Sequence, residues 1–371
     1  MARVKISIVD FLKETVYLSL YIIAVVGIVY AADHALTGTF WGGGVRPNYT
    51  PVYLWRIAIS TALTLIALVL FLVLNREGDA WPLSSEPGTD ALWHRVTLSR
   101  RPRQFGVLAG ILFSCAFLYV FFDDPTLFRD ISSDEKVVEN LSALFSLVAC
   151  AMFAITGFVN RRHTEKGEAN FWYPLISWFF AGLFFVIAME EIAWTQGVFF
   201  FDTPKLFENN SQGEMNLHNF ATFYFEMAYY SSTFLFFVVL PFMNDRRKIL
   251  PATPVVSFFL PSRYLLYIGA FAAAYNYDTW NNMLFQFCFF LAVCLLAYYA
   301  WIDRADNHRI LLTLLVLCVI AVQFSFLWMG HRVTRRPAFT EYKEFFIPFA
   351  FMYYSFEIFV RSRIRVGKKV S

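Results

Sequence analysis

Charge is what this chain has least of. Only 16% of its 371 residues are Asp, Glu, Lys or Arg, against 58% hydrophobic ones, and the mean hydropathy is +0.51. A soluble domain carries about 25% charged residues, so the shortfall excludes an ordinary water-soluble fold and points to a polytopic membrane protein. The net charge of +3 is too small to mark a nucleic-acid partner. Cysteine is scarce as well. Cys115, Cys150, Cys288, Cys294 and Cys318 all lie inside apolar runs without a CxxC pair, so neither a disulfide framework nor a cysteine metal site is expected. Also missing are G-x-S-x-G, HExxH, DxD and Walker-type runs, which removes the usual hydrolase and nucleotide-binding signatures. The apolar stretch 17–32 is followed by Asp33 and His34 rather than a small-x-small cleavage site, so it reads as a first membrane span and not a signal peptide.

What is present in quantity is apolar bulk, including 44 Phe. A membrane helix needs about 20 mostly apolar residues. That rule places spans near 14–32, 52–74, 105–122, 137–159, 171–193, 217–242, 257–277, 281–302, 309–329 and 344–360. The expected fold is therefore all-α: one polytopic bundle of about ten transmembrane helices covering residues 1–371. The seventh span has Pro261 and Arg263 near its start, which predicts a break or an interfacial beginning. Residues 75–104, rich in Ser, Pro and Gly, form the one long polar linker, expected in the cytoplasm.

Basic residues orient the bundle. With both termini cytoplasmic, one face collects Lys5 and Lys13, the Arg95–Arg103 group, Arg161 and Arg162, Arg246 to Lys248, Arg304 and Arg309, and the tail from Arg361 to Lys369. This is the positive-inside arrangement, expected here for a bacterial cytoplasmic (inner) membrane. The external loop between spans nine and ten departs from it, carrying Arg332, Arg335 and Arg336. Either late loops feel little selection for charge, or these arginines face an anionic group such as a lipid phosphate or nearby carboxylates.

Polar residues gather at the opposite, external helix ends. Glu190 and Glu191 close span five, Trp194 and Gln196 follow, and Gln212, Glu214, Asn216, His218 and Asn219 lead into span six. Adjacent glutamates on a helix cannot face the same way. His218, Thr222, Glu226 and Tyr229 step by four, four and three, which predicts one polar stripe running into the span. Ionisable groups at such depth are functional candidates, although an interhelical hydrogen-bond network also explains them. Glu139, Glu341 and Glu344 open other spans, where the helix dipole alone accounts for an acid.

The stretch "EEIAWTQ…DTP…N-SQGEMNLHN" resembles an uncharacterised family of bacterial polytopic membrane proteins with an EEI-x-W-x-Q run, a T-P and an N-x-QGE-x-NLHN run. The matching residues are Glu190, Glu191, Trp194, Gln196, Thr203, Pro204, Gln212, Gly213, Glu214, Asn216, Leu217, His218 and Asn219. Thr195 stands where the pattern has glycine. The stretch "SSDEKVVENLSALFSLVA" is similar to that family's earlier acidic helix start. The resemblance implies a shared site and carries no activity.

Three functions fit this reading. The first is an enzyme, a hydrolase or transferase acting on a lipid or lipid-linked substrate. Its acid–base groups would be Glu190, Glu191, His218 and Glu226, or His218, Glu190 and Glu226 would hold a divalent metal. Trp194, Gln196, Gln212, Glu214, Asn216, Asn219, Arg332, Arg335 and Arg336 would contact the substrate. The second is a proton-coupled transporter titrating at Glu226 and Glu190. The third is an assembly or sensor subunit that binds a membrane-protein partner.

Overall fold

The computed structural model describes residues 31, 34–35, 50–74, 100–133, 136–162, 168–199, 202–207, 210, 213–242, 254–280, 282–302, 306–334 and 338–370. The elements among them are helical. They are α1 (Pro51–Leu74), α2 (Arg100–Asp123), α3 (Val137–Arg162), α4 (Glu168–Glu191), α5 (Thr222–Phe234, continued as a π-helical turn Leu235–Val239), α6 (Pro254–Phe259), α7 (Arg263–Gly269), α8 (Met283–Ile302), α9 (Asp306–Met329) and α10 (Ala338–Val370). Among the described residues, six helices are long and apolar enough to cross a membrane: Gln104–Asp123, Val137–Arg162, Phe171–Glu191, Tyr224–Phe242, Leu284–Ile302 and His308–Arg332. Each falls on an expected span, and together they make the chain a multi-pass integral membrane protein. The expected first span and nearly all of the 75–104 linker lie outside the described residues.

Lipid is as apolar as leucine, so these helices are held by packing and polar contacts rather than by exclusion from water. The outward surfaces are correspondingly greasy. Leu112 and Tyr119 on α2, Phe158 on α3, Phe179 on α4 and Trp328 on α9 are all exposed. The most protein-enclosed elements are the least regular. Between Leu260 and Ala274 nearly every side chain is buried, yet the backbone there is broken twice.

The first break follows Phe259, where Pro261 cannot donate to the helix. Backbone groups freed inside a membrane must find protein partners, and α10 supplies them. Arg361 Nη1 donates to the carbonyls of Phe258 (2.6 Å) and Leu260 (2.7 Å), and the Tyr354 hydroxyl donates to the carbonyl of Phe259. Arg361 also pairs with Glu357, which accepts from Ser262 Oγ at 2.7 Å. The second break lies at Tyr275, which has φ +64°, and Asn276. Gln323 of α9 grips Asn276 like a missing strand, accepting from its N–H at 3.0 Å and donating to its carbonyl at 3.1 Å. Between the breaks, Gly269 meets the π-helical turn of α5 so closely that an added Cβ would lie 2.4 Å from Phe237 Cβ. The expected seventh span is thus a discontinuous, buried segment clasped by α9 and α10.

The tenth expected span, 344–360, is contained in a longer helix. α10 begins at Ala338 and carries Glu341, Lys343, Glu344, Glu357 and Arg361. Its middle, from Phe345 to Ile358, is packed against protein. That is why it tolerates a charge load that would be costly in contact with lipid.

Candidate functional site

The segment that connects α4 to α5 folds around Glu190. The Trp194 indole donates to one carboxylate oxygen at 2.8 Å. The other accepts from the backbone N–H of Leu217 (2.7 Å) and of His218 (3.2 Å), with His218 Nδ1 also 3.2 Å away. A second knot forms around Gln196. It donates to Thr203 Oγ1 (2.7 Å) and accepts from the Met215 N–H (2.9 Å), while Thr203 donates to the carbonyl of Gly213 (2.6 Å). Asn210 closes the turn at Gly213, where φ is +67°, by accepting from its N–H at 2.6 Å. Asn216 Nδ2 donates to Glu214 at 3.1 Å. Trp194, Gln196, Glu214 and Asn216, expected to contact substrate, all take part in building this connection, and Asn216 Oδ1 is buried with no hydrogen-bond partner among the described residues. Asn219 is buried, and Gln212 lies outside the described residues.

His218 occupies a short 3-10 turn, His218–Phe220, set off from α5 by the non-helical backbone of Ala221. The expected continuous stripe from His218 to Tyr229 is corrected on this point: Thr222, Glu226 and Tyr229 share α5, and His218 stands ahead of it. Burial works against charging the imidazole, but the hydrogen bond to Glu190 and the charges of Glu344, Glu190 and Glu226 outweigh it. The ring therefore titrates above its ordinary range.

Glu191, about 100° round the helix from Glu190, belongs to a different group. It interacts electrostatically with Glu344, Glu139 and Glu190. Glu226 interacts with Glu344, Lys343 and His218. Glu344, whose carboxylate accepts from the Tyr230 hydroxyl, is the common member. Glu344 is thus within electrostatic reach of Glu191, Glu226, Lys343 and His218 at one end of the bundle, and Glu139 and Glu190 are reached through Glu191. Glu344 was expected to serve the helix dipole, but α10 starts at Ala338 and leaves it well inside the helix. Glu139 does lie in the first turn of α3.

Lys343 is buried, and its ammonium donates to Asn276 Oδ1 at the second break. It also lies 4.4 Å from the ring centres of both Tyr230 and Phe285. Beside it is a cavity of about 20 Å³ whose lining includes Lys343, Asn276, Tyr230, Phe285, Thr233 and Cys288. That volume holds about one water molecule.

Among the described residues, no three His, Cys, Asp or Glu side chains come close enough to share a metal ion. The metal expected on His218, Glu190 and Glu226 therefore lacks a ligand set: His218 and Glu190 touch, and Glu226 does not join them. Arg332 is exposed in the turn after α9, while Arg335 and Arg336 lie outside the described residues. Sequence reasoning missed Lys343, Asn276 and Tyr230. The one available signal was the Lys-Glu doublet opening an aromatic run.

No known protein family, characterised protein or solved structure matches this chain.

Proposed function

We propose that this membrane protein binds and releases a positively charged ligand, a proton or a small organic cation, in its carboxylate chamber, as a proton-coupled carrier does. The observation that carries the reading is the electrostatic grouping of Glu190, Glu191, Glu226 and Glu344 around Lys343 and His218. Buried carboxyl groups gathered in this way take up a proton or a cation rather than a phosphate. The discontinuous segment from Pro254 to Trp280 supports the same reading, because interrupted helices buried at a binding site are a feature of secondary transporters. The reading includes ten spans, both termini in the cytoplasm, and a chamber facing outward from a bacterial inner membrane. Arg161 and Arg162 at the far end of α3, and Arg361 to Arg365 at the far end of α10, support that orientation. It also includes kinship with the polytopic family that shares the Glu190–Asn219 pattern.

A second reading keeps the hydrolase or transferase acting on a lipid or lipid-linked substrate. Exposed Arg332 favours it, as a group able to meet a phosphate at the membrane surface.

One experiment separates the two. Detergent-purified wild type and Glu344→Gln are melted in methylammonium chloride or in glycerol phosphate at equal ionic strength. A bound cation at ten times its Kd stabilises by about 1.4 kcal/mol. Methylammonium should raise the wild-type melting temperature and leave Glu344→Gln unmoved, since its amide oxygen can still accept from Tyr230. Stabilisation by glycerol phosphate alone overturns the carrier reading and favours the lipid-directed enzyme.

A further inference from the structure

We infer that the place filled by the Lys343 ammonium is a primary-ammonium site, and that a small primary amine is the ligand class of the chamber, with Lys343 as its tethered competitor. The inference rests on the cation-binding reading and adds to it the seat, the chemical class and the residue that occupies it.

Three sides of the seat are on view. Asn276 Oδ1 accepts a hydrogen bond from the ammonium, and the faces of Tyr230 and Phe285 lie 4.4 Å away on the other two. Oxygen acceptors with aromatic faces are how proteins recognise alkylammonium ions. The acceptor side chain is held in place from below, because Gln323 pins both backbone groups of Asn276 and Asn276 Nδ2 donates to the carbonyl of Ala273 at 2.6 Å. A lysine serving only as structural glue in a membrane protein would be expected to make an ion pair. Here the carboxylates of Glu226 and Glu344 act on Lys343 through space without a salt bridge to it. They form a second resting place to which the ammonium can swing as an incoming amine takes the seat. One cation then replaces another, and the site never stands uncompensated.

Room for the guest is also present. The cavity of about 20 Å³ beside the ammonium is bordered by Thr233, Gly269 and Cys288 as well as by the seat residues. It can take the methyl group of methylammonium but not the bulk of tetramethylammonium, which in addition has no N–H for Asn276.

The test is the affinity for methylammonium, read from melting temperature against concentration, in purified wild type and Lys343→Met. Methionine keeps the apolar stem and removes the competing charge. If the lysine fills the seat in all but about a tenth of molecules, its removal tightens apparent binding about tenfold. The gain should vanish in Lys343→Met with Phe285→Leu, and tetramethylammonium should show none of it. Should Lys343→Met not fold, Lys343→Gln carries the same expectation. Equal affinity in wild type and a folded, neutral-343 variant overturns the inference, because the seat is then only a lysine pocket. If that happens while Glu344→Gln still abolishes the cation response, the carrier reading stands. A response that survives Glu344→Gln removes the carrier reading itself.

Discussion

The two ends of α10 carry the same kinds of charge and treat them in opposite ways. At one end Arg361 and Glu357 are both buried, and they are paired to each other. Their remaining hydrogen bonds are spent on Ser262 and on carbonyls of the first helix break. At the other end Lys343 and Glu344 sit side by side in the chain without pairing. Lys343 goes to an amide and two rings, and Glu344 goes to a tyrosine hydroxyl amid further acids. A buried pair that spends its hydrogen bonds on a helix break is a device of the fold. Carboxyl groups gathered without such ion pairs are costly inside a membrane unless a ligand or proton completes them. The contrast separates scaffold from site within a single helix.

The comparison breaks most easily at Arg361. Arg361→Met leaves Glu357 buried without its cation and strips the donor from the Phe258 and Leu260 carbonyls. Breaking a buried pair from one side costs roughly 3–5 kcal/mol. Lys343→Met should cost less, because it relieves a desolvated charge, gives up only a through-space attraction to Glu226 and Glu344, and leaves Asn276 Oδ1 its contact with Thr279 Oγ1 at 3.5 Å. Denaturant or thermal unfolding of the two purified variants decides the matter. Equal losses would show that Lys343 is as much a part of the scaffold as Arg361.

Residue by residue, the sequence was legible wherever length and apolarity sufficed. The runs 105–122, 137–159 and 309–329 are helices because nothing in them interrupts an apolar stretch of membrane length. Pro261 announced the first break. What could not be read is which apolar segments face lipid and which face protein, since both surroundings accept the same side chains. The 260–274 segment and α10 proved to be the enclosed ones. The polar stripe failed at Ala221, because helical spacing says nothing about whether the helix has begun. Lys343 lies just ahead of the expected span 344–360 and was not marked by the spacing, because the start of α10 falls before the apolar run that suggested the span. The Glu190–His218 contact was in reach, as both residues stood in one short pattern, but the pattern does not reveal that most of its polar groups hold the connection together.

That connection sharpens the comparison at smaller scale through His218. The folded state raises the titration of the imidazole. Its contribution is therefore complete below the unfolded-state value and fades as pH rises through the folded one. Exchange of the Leu217 and His218 amides with deuterium, corrected for the intrinsic pH dependence, should accelerate over that interval as the anchoring on Glu190 loosens. His218→Phe should show no such step. A step of equal size in the variant would assign the pH response to the carboxylates alone.

The smallest expected effect is at Thr195. Ala193, Trp194 and Thr195 follow one another with φ of +44°, +52° and +67°, a left-handed run made without glycine. Each such residue costs roughly 1–2 kcal/mol. The run persists because the Trp194 indole is tied to Glu190 on one side and Gln196 is tied to Thr203 and Met215 on the other. Glycine at this position adopts the conformation without the side-chain clash and gives back about 0.5–1 kcal/mol of it in chain entropy. Thr195→Gly should therefore raise unfolding stability by up to about 1 kcal/mol, measured beside Gly213→Ala, which imposes the same conformation on a side chain and should lower it. If Thr195→Gly proves less stable, the turn is not the strained element its geometry implies, and the threonine side chain must contribute something that the backbone angles do not reveal.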